Sequence, residues 1–189
     1  MTLYGEILRA YRGFGASMQR QLAQDLREEK LLLYAVLASF LGFVARIPGL
    51  VYVAKNSTDA EITIANLIGS NFVTTFFYGL IMLYIIASVS HIIAKIFKGA
   101  GSFQQARLAL FWAALVIAPL YLVVVGLRVF ITAPDFINLS NLAIGILFVY
   151  CWGTCLSIAE KFNGALMTSL SIVTIFGVIA FGFRVMVLL

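Results

Sequence analysis

The residues of this chain with the greatest capacity for chemistry are basic, and they sit inside or beside apolar sequence. His91, Lys95 and Lys98 fall at steps of four and three, so on a helix they make one stripe. Such a stripe is an ordinary set of interfacial anchors, or a contact for an anionic lipid headgroup or an acidic partner. Arg46 lies about 15 residues into an apolar run, roughly 22 Å along a helix, which puts it in the outer third of a span. Charge at that depth is costly and is a functional candidate by default. The simpler account is that Arg46 snorkels to the near surface, helped by a break at Pro48. Arg128 and Arg184 fall near the same face. With Arg46 they could form a headgroup pocket, or a salt-bridged rim with Asp59, Glu61 and Asp135.

Other chemistry lacks its raw material. One histidine cannot build a His-based metal site or supply both base and ligands. Cys151 and Cys155 share a helix face at i and i+4, where two small side chains suit packing better than metal binding. Gly99-Ala100-Gly101 has neither the strand nor the Lys of a phosphate-binding loop and reads as a turn. Glu160, next to Lys161, reads as interfacial and self-paired rather than as a proton relay. No catalytic, cofactor-binding or metal-binding residue is assigned, and the chain is expected not to be an enzyme.

The elements that must position these residues are five apolar runs, Leu31–Val53, Ile68–Ile93, Leu108–Val129, Leu142–Ala159 and Leu166–Leu189. Each has about the 20 residues a membrane-spanning helix needs. The chain is 62% hydrophobic and 11% charged, against about 25% charged in soluble domains, so its solvent is lipid. Alternating strands of a β-barrel are absent. The expected fold is an all-α integral membrane protein: five transmembrane helices in one bundle (residues 31–189), preceded by a cytoplasmic amphipathic segment (residues 1–30). The first apolar run begins after residue 30 and is too long for the h-region of a cleavable signal peptide.

In residues 1–30, Leu3, Tyr4, Ile7, Leu8, Tyr11, Phe14, Met18, Leu22 and Leu26 recur mostly at three- and four-residue steps, loosened by Gly13 and Gly15. A helix of this kind lies in the membrane interface with its arginines toward headgroups, or packs on the loops of its own bundle. Helix starts are marked by capping-box patterns at Asp25–Glu28, Thr58–Glu61 and Ser102–Gln105. Pro119 falls in mid-span and should kink the third spanning helix. Small residues mark packing faces in the second span (Gly69, Ser70, Thr74, Thr75, Gly79) and the fifth (Thr168, Ser171, Thr174, Gly177). Nine Lys and Arg fall on the N-terminal side of the membrane and four on the other, which predicts N-terminus inside and C-terminus outside.

The layout resembles the Yip family of Rab-interacting membrane proteins. Lys98-Gly99-Ala100-Gly101-Ser102-Phe103-Gln104-Gln105-Ala106-Arg107, with Pro119 in the next span, is similar to the family's bacterial branch. So is the turn Ser157-Ile158-Ala159-Glu160-Lys161-Phe162-Asn163-Gly164-Ala165-Leu166. The resemblance implies a non-catalytic integral membrane protein. Eukaryotic members bind Rab-type GTPases and carry an Asp-Leu-Tyr-Gly-Pro motif in a longer N-terminal region. Here only Leu3-Tyr4-Gly5 is present, followed by Glu6, so Rab binding does not carry over.

The expected function is an accessory, assembly or membrane-organising subunit of the bacterial cytoplasmic membrane, acting through helix–helix and lipid contacts. Its partners would be membrane lipids and a protein partner or a second copy of the chain, with no nucleic acid. The alternative is a small oligomeric transporter or channel, drawing on Arg46, Pro119 and the Thr/Ser face of the second span.

Overall fold

The computed structural model describes residues 2–57 and 63–188, with side chains as far as 178. The described chain is helical throughout, joined by short turns: α1 (Leu3–Ala10), α2 (Phe14–Leu22), α3 (Glu28–Asn56), α4 (Ile64–Phe72), α5 (Tyr78–Ile96), α6 (Phe103–Arg128), α7 (Pro134–Ala159) and α8 (Ala165–Leu188). A five-residue π turn, Val73–Phe77, joins α4 to α5, so Ile64–Ile96 is one continuous helix. Among the described residues, Glu28–Asn56, Ile64–Ile96, Phe103–Arg128 and Pro134–Ala159 are long and apolar enough to cross a membrane. They hold 29, 33, 26 and 26 residues. At 1.5 Å per residue these are about 39–50 Å long, against a hydrocarbon core of about 30 Å. Each therefore has a turn or more to spare.

The ends of the helices follow local chemistry, not always the expected kind. Ser102 and Gln105 form a full capping box at the start of α6. Asp25 does not cap α3; it pairs with Arg27 at 2.8 Å, and the helix starts without a side-chain cap. The pattern at Thr58–Glu61 lies outside the described residues, and Thr63 caps α4 by accepting the Asn66 N–H. Pro134 opens α7, where its missing N–H costs nothing. The break expected at Pro48 is absent, because α3 continues through it to Asn56. In lipid, ending a helix exposes several backbone groups, whereas one proline forfeits a single hydrogen bond.

The core gathers around α6, which packs on α3, α5 and α7 and touches α1 and α2. Its buried residues concentrate in its first half, from Ala106 to Ala118. Trp112 and Phe111 are its largest fully buried side chains, with Tyr34 and Tyr84 rings at 5.2 and 4.9 Å. The starts of α3, α6 and α8 and the ends of α5 and α7 meet at this end of the bundle.

Residues 1–30 form two helices rather than one. The chain breaks at Tyr11–Gly13, and α1 and α2 then pack side by side. Both are fastened inward by hydrogen bonds. The Tyr11 hydroxyl donates to the Val116 carbonyl at 2.7 Å, halfway along α6. Burial, and then the neighbouring Cys151, push the Tyr11 phenol above its ordinary pKa, so it stays a donor. Trp112 Nε1 donates to the Ser17 hydroxyl at 3.0 Å, and Tyr34 to Gln21 Oε1 at 2.9 Å. Gly15 lets α2 lie on α7 against Ile158 and Thr154. The amphipathic pattern thus serves the bundle itself, with Tyr4 and Leu8 left facing out.

The small-residue faces are used selectively. Cys151 and Cys155 are fully buried, as packing residues should be. Gly79 approaches Ser39 on α3, but Gly69 and Gly177 have open space beside them. A close approach of α7 and α8 is instead at Gly153, where an added Cβ would lie 2.7 Å from Ser169 Cα. Gly153→Leu is therefore expected to push α8 off α7 and lower the thermal midpoint in detergent, at a cost of about 1–3 kcal/mol. Gly69→Leu, into open space, should leave it unchanged, and equal midpoints for the two variants would refute the assignment.

Candidate functional site

Among the described residues the most deeply buried carboxylate is Glu160, at the end of α7, only 1% exposed. It is not paired with Lys161. Its Oε1 lies 2.7 Å from His91 Nδ1 on α5, and its Oε2 accepts the Gly101 N–H at 2.9 Å. Its backbone carbonyl accepts the Ala100 N–H at 2.9 Å. One residue thereby binds both the last helical turns of α5 and the α5–α6 turn. The glycines of that turn are needed for approach: a Cβ on Gly99 or Gly101 would lie 2.6 or 2.8 Å from Oε2. Lys95 completes the junction, donating from Nζ to the carbonyls of Gly99 at 3.1 Å and Gly101 at 2.8 Å.

The predicted stripe is thus divided in its work. His91 turns into the protein, Lys95 lies on the surface with its ammonium tied to the turn, and Lys98 is exposed without such a tie. Lys98 and Lys161 occupy equivalent places, each one residue past the C-cap of its helix and each left-handed, at φ 63° and 59°. The bonds Gly99 N–H to Ala94 O and Lys98 N–H to Lys95 O close α5; Phe162 N–H to Ser157 O and Lys161 N–H to Ile158 O close α7. Both helices end in the same Schellman turn, with lysine where glycine is favoured. Both lysines are exposed and make no ion pair among the described residues.

Between α5 and α8 these turns frame an open, mostly apolar cleft of about 250 Å³. Phe97 and Phe162, the neighbours of the two lysines, line it, with Leu156 and Ile172 inside and Asn163 present as a polar group.

The remaining predicted residues lie elsewhere. Arg46 is exposed on α3 and reaches Thr75 Oγ1, in the π turn, at 3.4 Å. Arg128, at the end of α6, bonds Ser140 and Asn141 on α7 at 2.8–3.1 Å, so it ties two helices together. The side chain of Arg184 lies outside the described residues, as do Asp59 and Glu61. Pro119 sits inside an unbroken α6. Its missing N–H frees the Leu115 carbonyl, one residue before the carbonyl that Tyr11 bonds. A further strong pair joins two helix starts: Arg107 forms a two-pronged contact with Glu28 at 2.6 and 2.8 Å and lies 4.6 Å over the Phe103 ring. Glu28–Arg107 and His91–Glu160 are separated by 79 and 69 residues, so no local spacing announces them.

A helical bundle whose long helices are apolar enough to cross a membrane, with polar contacts gathered at one end, defines an integral membrane protein. Within that class, the model of the Yip1 domain matches residues 18–183, and the chain belongs to this family of membrane proteins. No match is found to curated proteins or to solved structures.

Removing the Glu160 carboxylate leaves His91 and the Gly101 amide without their partner in a buried place. Glu160→Ala is expected to cost about 2–5 kcal/mol, read as a fall in the thermal midpoint in detergent. Glu160→Gln, which can still accept from Gly101, should fall between Ala and the parent. A parent-like Glu160→Ala would show the junction to be dispensable.

Proposed function

We propose that the chain is a non-catalytic, five-span protein of the bacterial cytoplasmic membrane that acts as an accessory, assembly or membrane-organising subunit through helix–helix and lipid contacts. In this reading α8 is the fifth span. It is 24 residues long, about 36 Å, enough to cross the hydrocarbon. The N-terminus is then cytoplasmic and the C-terminus periplasmic, in keeping with the distribution of Lys and Arg.

The observation that carries the lipid contact is the pair Lys98 and Lys161. A left-handed corner favours glycine, and lysine there costs on the order of 1 kcal/mol. Two adjacent turns bear that cost, and neither side chain is used inside the protein. Each charge stands next to a phenylalanine of the α5–α8 cleft. An apolar cleft with cations at its rim matches an anionic phospholipid, acyl chain inward and phosphate outward. Arg46 and Arg128, at the opposite end, supply the same charge to the other leaflet. Helix–helix partners have their surface on Ile64–Ile96, little of which is covered within the chain.

Native mass spectrometry of protein released from mixed-lipid nanodiscs tests the lipid contact. Lys98→Ala/Lys161→Ala should retain anionic phospholipid roughly tenfold less well than the parent, the loss expected for charge-assisted contacts. Unchanged retention would refute the contact. Topology is tested separately: a reporter fused after Leu189 should read periplasmic, and a cytoplasmic reading would remove the five-span arrangement.

A further inference from the structure

The break between α1 and α2 creates a second basic feature, remote in sequence from the lysine turns. Arg9, Arg12, Gly13, Ala16 and Arg20 line an open cleft of about 370 Å³. Glu6, itself 6% exposed, sits between two of the guanidinium groups: Arg9 Nη1 is 3.7 Å from its Oε1, and Arg20 Nε is 3.2 Å from its Oε2. One carboxylate shared by two arginines positions them side by side without neutralising both. The third, Arg12, is exposed and has no partner among the described residues. Three cations against one anion leave a formal charge of +2 at the cleft.

Two details show that hydrogen-bonding capacity is left open. Nη2 of Arg20 is buried and meets no acceptor among the described residues. A buried guanidinium N–H without a partner is costly, and the Arg20 side chain as a whole is 38% exposed and lines the cleft. The nine-residue α2 begins at Phe14 behind Gly13, which offers no side-chain cap, and Gly13 and Ala16 at this uncapped start line the cleft. Planar guanidinium forks beside a free helix N-terminus are the donors that suit tetrahedral oxyanions.

We infer that the α1–α2 cleft is a binding site for a phosphate group, held by Arg9, Arg12 and Arg20. The cleft is placed for a phosphate carried by a lipid. Tyr4 and Leu8 of α1 are 71% and 47% exposed beside it, one turn apart on the same outward stripe. Apolar residues next to arginines dip into a leaflet at headgroup level. The site rests on the membrane-organising reading only for that lipid source; a phosphate bound from solution would use the same donors.

The test uses full-length protein in phosphatidylcholine nanodiscs, with thermal stabilisation and native mass spectrometry as readouts. Phosphatidic acid in the disc and inorganic phosphate in solution are the two probes. The parent is expected to retain phosphatidic acid, and Arg12→Gln to retain it roughly tenfold less well. The Arg12 side chain makes no hydrogen bond or ion pair among the described residues and is exposed, so this variant should fold as the parent does. Arg20→Gln, which also gives up a bond to Glu6, should lose at least as much. Lys98→Ala/Lys161→Ala should leave the effect of Arg12→Gln intact, which separates this site from the lysine turns. Stabilisation by inorganic phosphate, lost in Arg12→Gln, would sustain the site and assign it to a soluble phosphate. Binding of neither probe, or binding undiminished in both arginine variants, would overturn it.

Discussion

A carboxylate removed from water costs several kcal/mol unless donors replace the water it has lost. Glu160 meets that condition at the meeting point of α5, α6 and α7. His91 serves one oxygen and the Gly101 amide the other, while Lys95 holds the carbonyls of the turn that carries the amide. The arrangement is mutually dependent. The turn can approach Glu160 only because residues 99 and 101 lack a Cβ, and it has a fixed shape only because α5 ends in a Schellman turn. The α5–α8 cleft inherits its geometry from this junction, since Phe97 and Phe162 lie just beyond the two turns that it joins.

The same logic explains why order is concentrated at one end. Between helices in lipid there is no hydrophobic force to hold them, so packing and polar contacts must do so. The chain gathers many of them toward one end of the bundle, where the two short helices pack. Glu28–Arg107, Tyr34–Gln21, Trp112–Ser17 and Tyr11–Val116 all lie in the first half of α3 or α6. Each runs either to α1–α2 or between α3 and α6. The two short helices act as an inner brace, supplying polar partners that the spanning helices do not supply one another. The opposite half is more open, and its exposed side chains, such as Val123, Leu127, Leu139 and Leu142, are those that lipid solvates without cost.

What was legible in the sequence followed from periodicity and solvation, which act locally. An apolar run of about 20 residues can only be a helix in lipid, so the four long apolar helices and the Ser102 cap could be read directly. The family too was legible, from the turns at 98–107 and 157–166. Pairings between distant residues were not. Glu160 stands next to Lys161, and a pattern of neighbours suggests self-pairing. Folding instead places Lys161 in a left-handed corner, outside, and turns Glu160 inward to His91. The break at Pro48 failed for a related reason: proline is a weak stop where ending the helix would expose more backbone than it removes. The N-terminal segment was readable as amphipathic, yet amphipathicity says only that a face is covered and not by what.

Charge at the braced end is distributed in a way that no count of residues reveals. Glu6 is taken up by Arg9 and Arg20, Glu28 by Arg107, and Glu160 by His91. Glu6 and Glu160 are buried with their partners, while Glu28 stays 55% exposed against Arg107. Arg12, Lys98 and Lys161 are not matched in this way and stand exposed. The surface that end presents is positive on balance, because Glu6 and Glu160 are buried while Arg9, Arg12, Arg27, Lys95, Lys98 and Lys161 are exposed beside the exposed Asp25, Glu28 and Glu29. Screening confines such a field to about 8 Å at physiological salt, so it acts on what already lies against the protein. For helices embedded in a bilayer, that neighbour is the headgroup layer.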